Sequence, residues 1–315
     1  MPDILLQNLC AIPAAGDGYV RVAEAVAADG SLLFLFVEPD GAAAIMARTE
    51  QGIGIFPVPR METPRRLRLL RAGADGVVAS VELPALNLTF PMVDVFPDGR
   101  VLVAGPRCSW RSETDFDRNG AVIDPETGTV SRLLLGDGIE QVSIDTAGRI
   151  WVGYFDEGVF GNFGWSDPGP PPIGAAGLVC FSETGEKVWA YDQNRRQISD
   201  CYALNVHGGE AAAFTYTDFP VCMISGDFGR AWFETGLAGC KAFAISGHRV
   251  LFSGQYNDSA HIGYHGTLLA DRPGEFEQVT FRRPDGAAVI AGRIVGRGSR
   301  LYFFAGDAVY AADLD

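Results

Sequence analysis

The chain has 315 residues, 47% of them hydrophobic and 20% charged, with a formal net charge of −14. That apolar content supports a large core and excludes a disordered chain, while the acidic balance argues against nucleic acid as a partner, because phosphates call for a basic surface. No apolar run reaches the roughly 18 residues of a membrane-spanning helix, and Met1–Cys10 lacks the basic and apolar regions of a secretory signal, so the expected setting is the cytoplasm, with no membrane partner.

The 39 glycines and 18 prolines, with few helical patterns, point to many short strands joined by turns. The six cysteines (Cys10, Cys108, Cys180, Cys201, Cys222, Cys240) include no C-x-x-C pair. No structural zinc is therefore expected, and the thiols read as reduced and buried. Cys201 lacks a neighbouring histidine that would make it a nucleophile.

In chain order, an apolar segment at Ile4–Leu9 precedes a recurring unit of apolar strand, glycine-bearing turn and second apolar strand. It occurs at Val22–Val37, Met92–Gly105, Val142–Phe155, Tyr202–Tyr216, Ala242–Tyr256 and Arg293–Gly306. Taking Gly30, Gly99, Gly148, Gly209, Gly247 and Gly298 as the turn glycines, the mean spacing is about 54 residues, within the range of a four-stranded propeller blade with variable loops. A further hairpin follows each pair, as at Ala121–Leu135 and Gly177–Asp192. The expected fold is one all-β domain over residues 1–315, a six-bladed β-propeller of four-stranded blades. The last unit has three strands, and the N-terminal strand supplies the fourth, closing the ring and removing exposed edges. A seven-bladed ring is the alternative, because Arg66–Leu88 has room for extra strands; a sandwich is the remaining one.

Gly148–Gly153, GRIWVG, resembles the core of regulator-type and NHL-like propeller repeats, in which a glycine turn leads into I-W-x-G. Through Phe155–Trp165 (FDEGVFGNFGW), GAAGLVCF and DCYALNV, the whole chain looks like a family of uncharacterised propeller proteins from actinobacteria and similar soil bacteria. That resemblance implies the fold and brings no activity with it. More remotely, the chain resembles six-bladed gluconolactonase-type hydrolases, which hold a divalent metal with acidic residues and Asn. Their ligand motif matches no set of positions here, so no metal site is assigned and a divalent metal stays an option only.

In a four-stranded meander with strands a to d, the a–b and c–d turns lie at one end of the blade and the b–c loops at the other. The a–b turns are short. Long b–c loops are expected at Pro106–Asn119, Glu157–Ala176 and Gln255–Ile262, and long ordered loops on a rigid scaffold are where binding and catalysis concentrate. Candidate acid–base residues there are Asp156, Glu157, Asp200 and Asp218. Adjacent strand residues face opposite ways, so one of Asp156 and Glu157 is expected to point inward. Candidate ligand-binding residues are Arg107, Arg111, Trp165, Tyr202, Tyr256 and His261. Trp165 belongs to an aromatic, proline-stiffened loop that either stacks on a ligand or folds back as an anchor. His207 and His248 fall in a–b turns and read as surface residues; His261 and His265, on a strand, are too far apart for one metal. Two functions follow: a propeller that recognises a small polar molecule or a protein partner on its long-loop face, or a hydrolase or lyase acting on a sugar, lactone or similar polar metabolite.

Overall fold

The structure is a computed structural model and describes residues 1–51, 54–73, 78–194 and 196–314. Its backbone contacts divide the chain into two compact units, residues 13–199 and residues 1–12 with 200–315.

The first unit holds three four-stranded antiparallel blades. Blade 1 is built from Val20–Val26, Leu32–Val37, Arg60–Ala72 and Val78–Leu88. Blade 2 uses Met92–Val95, Val101–Ala104, Gly120–Ile123 and Val130–Leu133. Blade 3 uses Ile139–Ile144, Ile150–Tyr154, Leu178–Phe181 and Lys187–Ala190. The second unit holds blade 4 (Asp200–His207, Glu210–Tyr216, Val221–Ile224, Arg230–Phe233) and blade 5 (Phe243–Ser246, Arg249–Ser253, Ile262–Thr267, Glu275–Arg282). Blade 6 is Arg293–Arg297, Arg300–Ala305 and Ala308–Asp313, completed by Gln7–Ala11. The fold is a six-bladed β-propeller. The seven-bladed alternative falls away because, of Arg66–Leu88, residues 66–72 and 78–88 lie in the long third and fourth strands of blade 1, and residues 74–77 lie outside the described residues.

Second strands read as continuous apolar runs because both of their faces are covered. Leu32–Val37 (LLFLFV), Val101–Ala104 (VLVA) and Ile150–Tyr154 (IWVGY) are buried at every position. Their side chains join the cores between neighbouring blades: Leu33, Leu35 and Val37 meet Val93, Val101 and Val103, and Phe214 meets Phe243 and Phe252. At about 25 cal/mol per Å² of apolar surface removed from water, this burial is the main stabilising term.

The a–b turns are fixed by local chemistry. Gly30, Gly99, Gly148, Gly247 and Gly298 all have positive φ, as the repeat predicts; in blade 4 it is Gly208, not Gly209, that takes this conformation. In blade 3 the fully buried Asp145 holds the turn. Its Oδ1 accepts the Ala147 and Arg149 N–H groups, and its Oδ2 accepts Arg149 Nε at 2.7 Å and Trp151 Nε1 at 3.0 Å. The Asp-x-x-Gly-Arg-x-Trp segment is thus a side-chain-braced hairpin, and Trp151 is core.

The N-terminal segment does more than supply one strand. Asp3–Leu5 pairs in parallel with Glu275–Arg282 as a fifth strand of blade 5, and Gln7–Ala11 pairs antiparallel with the last strand, Ala308–Asp313. Leu6, at the crossing, is 2% exposed and packs with Phe281, Phe303 and Leu314. No helix among the described residues is long and apolar enough to cross a membrane. All six cysteines are free thiols, five of them buried.

Candidate functional site

In the first unit the b–c end of every blade carries a long segment. Two are the expected ones. The third, residues 38–59 of blade 1, holds the hairpin Arg48–Gln51/Gly54–Pro57 and was not expected from the sequence. It delivers Phe56 to Arg107.

Arg107 is 1% exposed. Its guanidinium lies over the rings of Phe163 (4.3 Å), Phe155 (5.3 Å) and Phe56 (5.7 Å). Its Nη1 donates to Glu157 Oε2 at 2.5 Å, and Nη2 stands 2.8 Å from Oδ2 of the equally buried Asp137. The Arg107–Asp137 approach is close but lacks hydrogen-bond alignment, since Nη2 and Oδ2 both count as buried without a hydrogen-bond partner. Asp137 Oδ1 accepts the Cys108 N–H at 2.7 Å. Burial pushes the Asp137 carboxyl up to about 7, outweighing the opposite pull of Arg107 and of the Cys108 and Gly138 N–H groups. The cluster therefore holds one cation between Glu157 and an Asp137 whose carboxyl titrates around neutral pH.

Asp156 and Glu157 do not alternate on a strand: they open the short helix Asp156–Phe160. Asp156 is exposed and its Oδ1 accepts the Glu157 N–H at 2.8 Å, while Glu157 also receives Asn162 Nδ2 at 2.8 Å. The helix seats against Gly138, where a Cβ would stand 2.2 Å from Gly158 N, so only glycine fits. The following loop folds back as an anchor. Trp165 is 4% exposed and its Nε1 donates to the Cys108 carbonyl at 2.6 Å, and the Phe163 carbonyl accepts the Trp110 N–H at 2.9 Å. Of the expected ligand-binding residues, Arg107 and Trp165 are thus inside the molecule. Arg111 is bidentate to Asp115 at 2.8 Å and also holds the buried Asp117 at 2.8 Å.

In the second unit the b–c ends of blades 4 and 5 carry aromatic side chains. Tyr202 opens strand a of blade 4, Tyr216 and Phe219 flank its b–c turn, and Tyr256 follows strand b of blade 5. Tyr202 lies 5.0 Å from Phe219, 5.8 Å from Tyr256 and 6.4 Å from Tyr216, centroid to centroid. The Tyr256 hydroxyl donates to that of Tyr202, and Lys241 Nζ sits 4.0 Å above the Tyr202 ring. Phe219 is buried beneath, whereas Tyr216 and Tyr256 remain 44% and 49% exposed. Asp218, at the exposed turn beside Phe219, has positive φ, and Asp200 is half-buried opposite Tyr216 in the a–b ladder. His261 is half-buried just before strand c of blade 5, its carbonyl accepting the Phe281 N–H. Sequence reasoning found Tyr202 and Tyr256 but missed Tyr216, Phe219 and Lys241. Only the blade 4 turn brings these together.

At the a–b end of blades 4 and 5 lies a cavity of about 610 Å³, with Met223, Phe233 and Ile245 in its wall and His207, Arg230 and His248 among its polar residues. The two histidines, expected as surface residues of a–b turns, are exposed and line it. Among the described residues no group of three or more His, Cys, Asp or Glu side chains is placed to hold a metal ion.

Residues 173–312 match the YxzG family. No curated protein sequence matches the chain. Among solved structures, a catalytically inactive variant of virginiamycin B lyase from Staphylococcus aureus with quinupristin is similar at a TM-score of 0.50 and 11% identity, over 99% of this chain and 100% of that one. The β-propeller domain of the trilobed protease from Pyrococcus furiosus, with its open velcro topology, is similar at 0.45 and 11%, over 94% and 83%. An acylaminoacyl peptidase from Pyrococcus horikoshii is similar at 0.45 and 12%, over 90% of this chain and 42% of the peptidase, so the chain spans less than half of that enzyme. At such identities the likeness is one of fold alone.

Proposed function

We propose that the protein is a cytoplasmic recognition propeller that holds a small polar ligand, a sugar-like ring, on the tyrosine platform of blades 4 and 5. The carrying observation is that Tyr216 and Tyr256 stay 44% and 49% exposed while ring contacts to Tyr202 and Phe219 hold them in place. Fixed, solvent-facing aromatics are pre-organised to stack on the C–H face of a sugar, and little ordering entropy is lost on binding. The Tyr202–Tyr256 hydroxyl pair and the Lys241 ammonium offer hydrogen bonds to its hydroxyls. Two of the four carboxylates expected to do acid–base work are engaged locally: Glu157 holds Arg107 and Asn162, and Asp156 accepts the neighbouring Glu157 N–H. The cytoplasmic setting fits six unpaired thiols.

A second reading, a hydrolase or lyase for a sugar, lactone or similar metabolite, is favoured by Asp137. A carboxyl pushed up to about 7 sits where general acid–base catalysis works best. Asp137 is itself buried, so a substrate would reach it only after the groups around it move.

Calorimetric titration with a panel of neutral hexoses and disaccharides tests the first reading. Saturable binding of at least one sugar is expected, and Tyr256→Ala should weaken it by about 2 kcal/mol, roughly thirtyfold, as for a central aromatic contact. Undiminished binding in Tyr256→Ala would remove the platform from the account.

A further inference from the structure

We infer that blades 1 and 2 form a separate site for a small dianionic oxyanion, a phosphate or sulfate group. Arg60, Asn87, Asp117, Arg118 and Arg132 line one cavity of about 290 Å³ between the b–c ends of these blades. A neighbouring cavity of about 510 Å³ shares Arg60, Asn87 and Asp117 and adds Arg111 and Glu62.

The charges in this place do not balance. Three guanidinium groups face one carboxylate, and that carboxylate, Asp117, already holds Arg111 at 2.8 Å and Arg60 at 3.4 Å. Many arginines elsewhere have counter-ions: Arg68 has Glu82, Arg71 has Asp29, Arg100 has Asp98 and Glu183, and Arg300 has Asp313. Arg132 and Arg118 have none among the described residues. Among the described residues Arg132 makes no hydrogen bond or ion pair, and burial alone acts on it, pulling its pKa down. Arg118 touches only the Phe116 ring, 5.5 Å from its guanidinium carbon. The Asn87 amide is likewise without a hydrogen bond among the described residues.

A half-buried guanidinium left without an acceptor is costly unless something supplies one. Arg132 is such a group, and the exposed Arg118 lines the same small cavity; on a chain carrying −14 overall, the pair marks a site whose missing partner is an anion. The planar fork of arginine matches the oxygens of phosphate and sulfate. Two unneutralised cations favour a dianion over a carboxylate, and the net acidity of the chain turns away nucleic acid. The adjoining cavity leaves room for a small organic group esterified to the phosphate.

The test is calorimetric titration of the full chain with inorganic phosphate, sulfate, acetate and glucose 6-phosphate, at ionic strength held constant with chloride. Saturable binding of phosphate and sulfate, stronger than of acetate, is expected. Arg132→Gln and Arg118→Gln should each weaken it about tenfold or more, as for loss of a charge-assisted hydrogen bond, whereas Arg283→Gln, which alters an exposed Asp285 pair, should leave it unchanged. Tighter binding of glucose 6-phosphate than of phosphate assigns the adjoining cavity to the ester group, and equal binding assigns the free ion. Without anion, Arg132→Gln should unfold at the same or a higher denaturant concentration, because it removes an uncompensated charge; this separates a binding defect from misfolding. The proposal is overturned by no saturable binding above chloride, by acetate binding as tightly as phosphate, or by full binding in both Gln variants.

Discussion

Replacing Arg107 with leucine is expected to destabilise the protein by about 3–5 kcal/mol, the cost of stranding a buried charge. Asp137 would lose the only guanidinium beside it among the described residues, and Glu157 would keep only Asn162. The effect should depend on pH in a defined direction. Asp137 titrates at about 7 in the folded protein and near 3.9 when unfolded. Its folded pKa is the higher one, so its contribution to stability is complete below about pH 4 and declines as pH rises towards 7. At pH 5 the folded protein carries Asp137 protonated, and Arg107→Leu removes little attraction from it. At pH 8 the carboxylate is ionised and buried, so the loss is larger. Urea denaturation of wild type, Arg107→Leu and Asp137→Asn at both pH values measures this. Asp137→Asn should flatten the decline of stability between pH 4 and 7. A pH-independent cost, or one below about 1 kcal/mol, the range of an exposed ion pair, would show that the cluster is not a coupled buried unit.

Leu6→Asp should have an effect at least as large, about 4–5 kcal/mol or loss of folding, combining the missing transfer of a buried leucine with a carboxylate placed among apolar side chains. Leu6 is the apolar pin between the strand that extends blade 5 and the strand that completes blade 6. Loosening it uncovers the edges of Glu275–Arg282 and Ala308–Asp313, and open edges pair with other chains. Leu5→Asp, one residue earlier at 66% exposure, is the matched control and should cost less than about 0.5 kcal/mol. Thermal melting and size-exclusion chromatography separate the two: aggregation confined to Leu6→Asp supports the pin, and equal behaviour of both variants contradicts it.

Much of the scaffold was legible because local rules write it. A turn glycine with positive φ, followed by an apolar run covered on both faces, marks a blade without reference to anything distant, and five of six turn glycines were placed correctly. The N-terminal segment was legible as a closing strand but not as two strands, because the break at Leu6 depends on which side chains of blades 5 and 6 surround it. The helix at Asp156–Phe160 was missed because five residues with a central glycine carry no helical period, and its position is set by close packing on Gly138.

The site was legible as residue types at one end of the blades, not as partners. Arg107 reads as a loop residue after Pro106. Its burial follows from Phe56, Asp137 and Phe163, three side chains far from it in sequence. Asp137 had no local signal, since its shifted pKa arises from surroundings assembled by three separate segments. Arg132 was hidden because a missing counter-ion is a property of space, not of spacing.

Sugar binding compared across three proteins, wild type, Tyr202→Ala and Tyr256→Ala, titrated calorimetrically with the neutral sugar panel, tests the tyrosine platform most directly. Wild type should bind saturably, and both variants should bind about tenfold or more weakly, for a hydrogen-bonded aromatic pair at the centre of the contact. Binding that survives both substitutions, or an unbound panel alongside sugar or lactone turnover that Asp137→Asn abolishes, would contradict that platform.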